Sequence, residues 1–181
     1  MGKSGTGKDT VANKLINDYG YNKLVTYTTR PIRHNEIPDK TYHYINEKDF
    51  KEKLHEVFFA EWKIYHTIQG DWYYGSARED YMNDNDKTVV ILTPDGVKKL
   101  RMQGIKETVI YLDSSLKTIR KRLLERGDDI EELERRIVSD IKDFRDAEYY
   151  ADKIIYNEEI SDIDNIVDEI LKFVESKNER L

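Results

Sequence analysis

The sequence has 181 residues, the size of one domain that can bury a hydrophobic core of its own. Its formal net charge of -6 argues against a general nucleic-acid-binding surface. It has no cysteine, which excludes disulfides and thiolate metal sites and is typical of a reducing cytoplasm. No apolar run is long enough to span a membrane, and the N-terminus is no signal peptide. We therefore expect a cytoplasmic domain, a monomer or homodimer, that binds neither nucleic acid nor membrane and that binds anions through local basic clusters.

The first ten residues, MGKSGTGKDT, contain the motif GxxxxGK, with Gly2, Gly7 and Lys8 in register. Glycines let backbone N–H groups close around a polyphosphate, and the lysine reaches its terminal phosphates. Apolar spacing over residues 9–16 predicts a helix directly after this loop, and a helix N-terminus favours anions. The alternative is a plain glycine-rich turn. The motif predicts a nucleoside-triphosphate site formed by Gly2, Ser4, Gly5, Thr6, Gly7, Lys8, Asp9 and Thr10.

Two features depart from the usual phosphate-binding loop, or P-loop. Asp9 stands where Ser or Thr usually holds magnesium and Thr10 follows it, so both are candidate Mg²⁺ ligands, although Asp9 also brings negative charge near the phosphates. A buried strand ordinarily precedes this loop, and there is no room for one before Met1. We therefore expect a start site placed too late, or a fragment. A complete chain would lack a strand of its central sheet and leave backbone groups unpaired.

A pair of arginines follows the first predicted strand, which covers residues 23–27 (KLVTY). Pro31 prevents the strand from continuing through TTRPIR and spaces Arg30 and Arg33 on an extended turn. Two guanidinium groups placed in this way can hold one phosphate. The alternative is two surface arginines in a loop.

Short aromatic segments between residues 41 and 76 predict antiparallel strands around a helix at about 47–54, with Gly70 and Asp71 in a hairpin turn. Within the apolar segment VFFAEW, Glu61 needs a partner that donates hydrogen bonds. Guanine offers two adjacent donors, N1–H and the exocyclic amine, to a single carboxylate. A salt bridge to a lysine or arginine, or exposure on the outer face of the strand, would also account for Glu61.

The second half of the chain predicts alternating strands and helices. Apolar and β-branched runs predict strands at 87–92, 107–113 and 152–156. Helical spacing predicts helices at 77–82, 94–102, 116–124, 128–149 and 161–174. Thr93 is the expected N-cap of the helix that begins at Pro94, and the end of the strand before it faces the ligand crevice in open α/β sheets.

The order of the motifs resembles the guanylate kinase family over nearly the whole chain. These motifs are GKSGTGKDT, VTYTTRPIR, TYHYI, FFAEW, WYYGS, RLLERGDD and IIYNEE. The resemblance implies that the phosphate of GMP is held by Arg30, Arg33, Tyr42 and Tyr74. It implies that the guanine is read by Glu61 and Ser76. Two further GMP-side positions depart from the family, since Thr26 stands where it usually has Ser, and Thr93 where it usually has an acid.

Residues 122–137, RLLERGDDIEELERRI, carry closely spaced arginines and acids around Gly127. Taken alone, this pattern is typical of solvated helix faces with i, i+4 charge pairs. In the family the segment is a lid, and the resemblance implies that Arg126 and Arg136 neutralise charge on the transferring phosphoryl group. Arg135 can exchange roles with Arg136, because the lid is one residue shorter than the family pattern.

Two more residues are assigned to the ATP side by the resemblance. Arg122 is a further lid candidate, and Asn157 stands where the family has an asparagine beside the adenine of ATP. The catalytic residues implied are Lys8, Arg30, Arg126 and Arg136. The implied activity is phosphorylation of GMP to GDP by ATP with Mg²⁺, without a covalent intermediate.

The fold expected is an α/β P-loop kinase with a parallel central sheet and helices on both faces. Its core covers about 1–25, 77–121 and 138–181, its inserted mixed-β GMP-binding region about 26–76, and its helical lid about 122–137. Two other functions stay open. A loop reading GKD resembles a ribose 1,5-bisphosphate kinase, although EW and YYGS favour guanine. Guanylate-kinase-like domains also serve as non-catalytic binding modules, which have no need of Lys8 or the lid arginines.

Overall fold

The computed structural model describes residues 1–34, 36–82, 87–159 and 162–179. The helices are α1 (Lys8–Tyr19), α2 (Glu47–His55), α3 (Pro94–Met102), α4 (Leu116–Glu125), α5 (Ile130–Asp143), α6 (Ala147–Tyr150) and α7 (Ile163–Asn178). The strands are β1 (Asn22–Lys23), β2 (Tyr27–Thr28), β3 (His43–Tyr44), β4 (Phe59–Thr67), β5 (Gly70–Ala77), β6 (Thr88–Val89), β7 (Ile110–Asp113) and β8 (Lys153–Tyr156). A 3₁₀ turn covers Glu79–Tyr81. Within the described ranges, every helix is too short or too polar to span a lipid bilayer.

The chain forms two compact units. The first comprises Met1–Tyr21, Ile91–Val97 and Lys106–Leu181, and the second comprises Asn22–Val90 and Lys98–Ile105.

The first unit is built on the parallel pair β7–β8, whose side chains alternate between two covered faces. On one face, Leu112 and Ile155 pack with residues of α1 and α7 such as Val11 and Val167. On the other face, Tyr111 packs with Phe144 and Ala147 from the end of α5 and the start of α6. This pair therefore has helices on both faces, as the sequence predicts. Met1 and Gly2 extend the ladder, since Met1 O accepts from Leu112 N at 2.9 Å and Gly2 bridges Leu112.

The second unit is built on a mixed four-stranded sheet with the order β3-β2-β5-β4. Strand β2 is parallel to β3 and antiparallel to β5, and β4 and β5 form a long hairpin. Phe50 of α2 stacks on Phe59 of β4 with ring centroids 4.4 Å apart, and Tyr73 completes this core. Gly75 is required here, because a Cβ at this position would lie 2.9 Å from the Phe59 ring. The mixed-β region predicted from the sequence is confirmed.

Several predicted boundaries were wrong because the pairing partners change within one run of residues. The strand predicted at 23–27 is two short strands, since β1 pairs with β6 whereas β2 pairs with β3 and β5. Of the strand predicted at 87–92, Thr88–Val89 forms the strand β6. The hairpin turn is at Ile68 and Gln69, because Thr67 pairs directly with Gly70.

Two predicted helices also differ from the structure. The helix predicted over 128–149 ends at Asp143, because the next residue, Phe144, turns into the core against Tyr111, and α6 begins only at Ala147. The helix predicted over 77–82 is instead the last strand residue followed by a single 3₁₀ turn. The predicted start of the last helix at Ser161 lies outside the described residues.

Candidate active site

The P-loop leads directly into α1, as the motif predicts. Gly5 and Gly7 have φ angles of 76° and 87°, in the left-handed region that favours glycine. Gly2 is required for a different reason, because a Cβ there would lie 2.7 Å from Leu112 O and from Thr6 Oγ1. The buried Thr6 hydroxyl donates to Lys3 O at 2.8 Å and fixes the curve of the loop. The glycines are therefore required by the geometry of the loop itself.

Asn157 and Arg122 hold the P-loop through its carbonyl groups. The buried side chain of Asn157 donates from Nδ2 to Thr6 O at 2.9 Å. Arg122 donates to Gly5 O at 3.2 Å and to Asn157 Oδ1 at 3.4 Å. A Cβ at Gly7 would lie 2.6 Å from Asn157 Nδ2, so the loop and this amide are closely packed. Both residues thus have a supporting role that the resemblance did not indicate.

The residues proposed to face the triphosphate and metal lie at the first turn of α1. Lys8 Nζ donates to Lys3 O at 3.3 Å and lies 3.8 Å from Asp9 Oδ2. Asp9 and Thr10 are exposed. In the described ranges, no cluster of three His, Cys, Asp or Glu side chains is placed to hold a metal ion. Kinase Mg²⁺ is usually held by one or two protein oxygens together with water and substrate phosphates, so Asp9 and Thr10 are compatible with a metal that arrives with ATP.

A carboxylate from α5 bonds the P-loop backbone. Asp140 Oδ2 accepts from Ser4 N at 2.6 Å. Sequence reasoning missed this contact, because the two residues are far apart in the chain and Asp140 belongs to no motif. The contact places a negative charge beside a loop whose motif is built for anions.

The arginines predicted for the lid contact two acidic side chains, Asp128 just before α5 and Glu132 in its first turn. Asp128 accepts from Arg126 through both oxygens and from Arg136 Nη1 at 3.2 Å. Glu132 accepts from Arg136 Nε at 2.8 Å and from Arg135 at 2.8 and 2.9 Å. Hydrogen bonding to Arg135, and then to Arg136, lowers the pKa of Glu132 to about 2. The charge pairs expected for solvated helix faces are therefore present, and they join the same arginines that the resemblance singles out.

In the second unit, Arg30 is buried among tyrosines. Its side chain is 4% exposed, donates from Nε to Tyr74 OH at 3.1 Å, and lies 5.6 Å from the Tyr42 ring centroid. Its backbone N–H donates to Thr28 Oγ1 at 3.1 Å, and Thr28 in turn donates to Tyr73 O at 3.0 Å. The surface-arginine alternative is therefore wrong for Arg30, although the side chain of Arg33 is exposed.

Glu36 connects the loop that carries Arg30 and Arg33 to the sheet, and sequence reasoning missed this residue. Its Oε1 accepts from Arg30 Nη2 at 2.6 Å, while Oε2 accepts from Arg33 N at 2.7 Å and from Tyr44 OH at 2.8 Å. Burial opposes the charged form most strongly, but the hydrogen bonds from Arg30, Arg33 N and Tyr44 and the charge of Arg30 together outweigh it and lower the pKa of Glu36 to about 2. Burial and Glu36 together raise the pKa of Tyr44 to about 12. The sequence signal was an acid three residues after Arg33, in reach of the same turn.

The pair proposed to read guanine is assembled by the β4–β5 hairpin. Glu61 is 7% exposed, Ser76 is fully buried, and the two face each other in the strand register. Ser76 Oγ donates to Glu61 Oε1 at 2.7 Å and lies 2.8 Å from Tyr81 OH. A β-bulge between Phe59 and Glu61 adjusts the register at this point. Exposure of Glu61 on the outer face of the strand is excluded.

The two remaining predicted positions have backbone roles. Thr26 O accepts from His43 N at 2.9 Å beside β3. Thr93 caps α3, since its Oγ1 accepts from Gly96 N at 3.2 Å. Thr93 belongs to the first unit, and the other residues predicted to bind GMP belong to the second. Each contact described for these residues joins groups of the same unit.

A P-loop with an arginine-rich lid in one unit, and buried arginine, tyrosine and carboxylate groups on a mixed sheet in the other, define a P-loop kinase of the nucleoside monophosphate kinase class. A family model described as guanylate kinase matches residues 1–176. The chain belongs to the guanylate kinase family.

Curated relatives and a solved structure resemble the chain over most of its length. It is 31% identical over 174 residues to a guanylate kinase of Protochlamydia amoebophila, covering 93% of this chain and 85% of the relative. It is 30% identical over 175 residues to a guanylate kinase of Caldanaerobacter subterraneus, covering 93% and 81%. The crystal structure of guanylate kinase from Anaplasma phagocytophilum matches with a TM-score of 0.70 at 22% identity, covering 97% of this chain and 83% of that one, and this likeness supports the fold.

Proposed function

We propose that this chain transfers the γ-phosphoryl group of ATP to GMP. An oxygen of the GMP phosphate attacks the γ-phosphorus while the bond to the departing ADP breaks, which gives ADP and GDP. The protein supplies positioning and electrostatic stabilisation, and it needs no covalent intermediate. The observation that carries this proposal is the buried Glu61–Ser76 pair, because it presents a hydrogen-bonding carboxylate inside an otherwise apolar segment.

The acceptor phosphate is held by Arg30 with Arg33, Tyr42 and Tyr74. Arg30 uses three of its five N–H donors on described partners, and the remaining two suit a phosphate. Its ordered environment favours a fixed phosphate position, because little side-chain entropy is left to lose on binding. Arg33 is exposed and can move toward the ligand.

The guanine is read by Glu61, which accepts N1–H and the exocyclic amine together. Thr26 and Thr93 occupy the other positions on the GMP side. The serine-to-threonine difference at Thr26 retains a hydroxyl, whereas Thr93 brings no charge to the place where the family usually has an acid.

ATP is held by the P-loop residues Gly2 to Thr10, with Asn157 and Arg122 supporting the loop. Lys8, Arg126 and Arg136 stabilise the charge of the transferring group. Asp9 and Thr10 would hold Mg²⁺ that arrives with ATP, and the ion would supply positive charge that offsets the phosphates. To bind the phosphates, Arg126 and Arg136 must either contact phosphate and carboxylate at the same time or release Asp128 and Glu132. Closure of the lid excludes water that would otherwise hydrolyse ATP.

The test is ADP formation from Mg-ATP with GMP, AMP, ribose 1,5-bisphosphate or no acceptor. GMP-dependent turnover well above the other three reactions is expected. Preference for ribose 1,5-bisphosphate would replace the guanylate kinase assignment with the other kinase. ATP binding without transfer to any acceptor, by a protein that circular dichroism shows to be folded, would favour the non-catalytic binding module.

A further inference from the structure

We infer that Tyr81 is a positioning residue that orients the hydroxyl of Ser76 and so sharpens the choice of guanine over adenine. This inference rests on the proposed function and adds a residue to its base-binding site. Its starting point is a chain of three polar groups, in which Tyr81 OH lies 2.8 Å from Ser76 Oγ, and Ser76 Oγ lies 2.7 Å from Glu61 Oε1.

The directions of these hydrogen bonds follow from the number of protons available. A serine hydroxyl has one proton and two lone pairs, and a carboxylate only accepts. The Ser76 proton therefore points toward Glu61, and the contact with Tyr81 must be made by the tyrosine proton. Tyr81 thus occupies one lone pair of Ser76 and keeps the Ser76 proton on the Glu61 side.

The backbone places Tyr81 for this role. After β5 ends at Ala77, Arg78 N donates to Phe58 O at 2.9 Å, which holds the chain against the start of the hairpin. The 3₁₀ turn Glu79–Tyr81 then folds back, with Tyr81 N donating to Arg78 O at 3.2 Å. The phenol consequently returns to a residue five positions earlier in the chain. The strand register separately places Glu61 opposite Ser76.

The consequence concerns the edge of the base that Glu61 reads. Guanine has an acceptor, O6, beside the N1–H donor, whereas adenine has an amine donor beside an unprotonated N1. With Tyr81 in place, Ser76 donates its proton to Glu61 Oε1 and so holds the carboxylate that accepts the guanine N1–H and exocyclic amine together. Adenine instead presents a lone pair at N1, which the same fixed carboxylate repels. Tyr81 therefore favours guanine over adenine because, through Ser76, it keeps the Glu61 carboxylate in the orientation that attracts the donors of guanine and mismatches the unprotonated N1 of adenine.

The experiment compares wild type, Tyr81→Phe, Ser76→Ala and the double variant, with GMP and AMP as acceptors at saturating Mg-ATP. Tyr149→Phe removes a hydroxyl from a residue that is 83% exposed and is the matched control. We expect Tyr81→Phe to lower the ratio of kcat/KM for GMP to that for AMP by roughly fivefold, about the factor for one ordinary hydrogen bond. The change should lie in KM for GMP, with KM for ATP unchanged. In the Ser76→Ala background, Tyr81→Phe should have no further effect.

Two results would overturn the inference while leaving the proposed function in place. One is an unchanged GMP to AMP ratio in a folded Tyr81→Phe variant, and the other is an equal effect with and without Ser76, which would mean a general structural role. Tyr81→Leu, which also lacks the hydroxyl, replaces Tyr81→Phe if that variant does not fold. Wild-type protein that neither binds nor phosphorylates GMP would instead overturn the proposed function, and the inference with it.

Discussion

The Glu36→Gln substitution tests whether the loop that carries Arg30 and Arg33 is held by the charge of Glu36 or only by its shape. Glu36 accepts from Arg30 on one oxygen and from Arg33 N and Tyr44 OH on the other. A glutamine has nearly the same shape, but its NH₂ group must face one of these two sets of donors. Either orientation therefore brings two donors together and leaves at least one of them unsatisfied.

The size of the effect follows from the pKa of Glu36, which is lowered from 4.5 to about 2. This difference corresponds to at most roughly 3 kcal/mol, and screening by solvent reduces it to about 1–2 kcal/mol. Because the folded-state pKa lies below the unfolded-state value, this stabilisation is complete above pH 4.5 and is lost as the pH falls toward 2. Glu36→Gln should therefore lower the free energy of unfolding by about 1–2 kcal/mol at pH 7, and the difference should shrink as the pH falls below 4.5.

The assays are urea unfolding over this pH range and steady-state kinetics at pH 7. Since Arg30 loses an orienting partner, KM for GMP should rise roughly tenfold, as for loss of a charged hydrogen bond, with KM for ATP unchanged. Glu169→Gln breaks the exposed pair with Lys153 and is the matched control, with an expected loss under about 1 kcal/mol. A Glu36→Gln variant as stable as wild type at pH 7, or a stability difference independent of pH, would refute the account of Glu36.

Three further predictions concern the proposed catalytic and binding groups. Lys8→Ala should lower kcat by at least about a hundredfold without loss of the circular dichroism signal, because the lysine acts on the transferring phosphate; retention of wild-type kcat would contradict its role. Glu61→Ala should raise KM for GMP far more than the calorimetric Kd for ATP, and an equal loss of both would exclude the guanine assignment. Asp140→Asn retains an oxygen for Ser4 N but removes a negative charge beside the P-loop, so the Kd for ATP should fall by about threefold; a weaker ATP affinity would show that the carboxylate organises the loop instead.

Local patterns predicted the parts of the fold that depend on neighbouring residues. The P-loop followed by α1, the Thr93 cap of α3 and the hairpin containing Glu61 all follow from residues close together in sequence. Strand lengths could not be predicted in this way, because residues 23–27 read as one apolar run although the two ends pair with different strands. The break after Asp143 was missed for a similar reason, since the packing of Phe144 against Tyr111 is a tertiary contact.

Sequence patterns pointed to candidate site residues where a residue type is unusual in its setting, and they gave no signal where a contact joins residues distant in the chain. Arg30 and Glu61 were singled out because a basic pair around a proline and an acid in an apolar run are unusual, and the structure buries both side chains. Asp140 was missed because its partner, Ser4, lies far away in sequence, and Tyr81 because a tyrosine after a strand is more often packing than function.

Carboxylates contact several of the groups proposed to bind phosphate, so these groups are already oriented before an anionic substrate arrives. Glu36 engages Arg30, Asp128 engages Arg126 and Arg136, and Asp140 accepts from the P-loop backbone. A phosphate that binds these groups competes with a carboxylate that already contacts them. The net gain in binding free energy is therefore the difference between two favourable interactions. This competition lowers the affinity for phosphate. It also means that each donor group already has a fixed orientation before the substrate arrives. Since transition-state stabilisation depends on donors that need not reorganise, the acidic partners serve catalysis even though they weaken the attraction for phosphate.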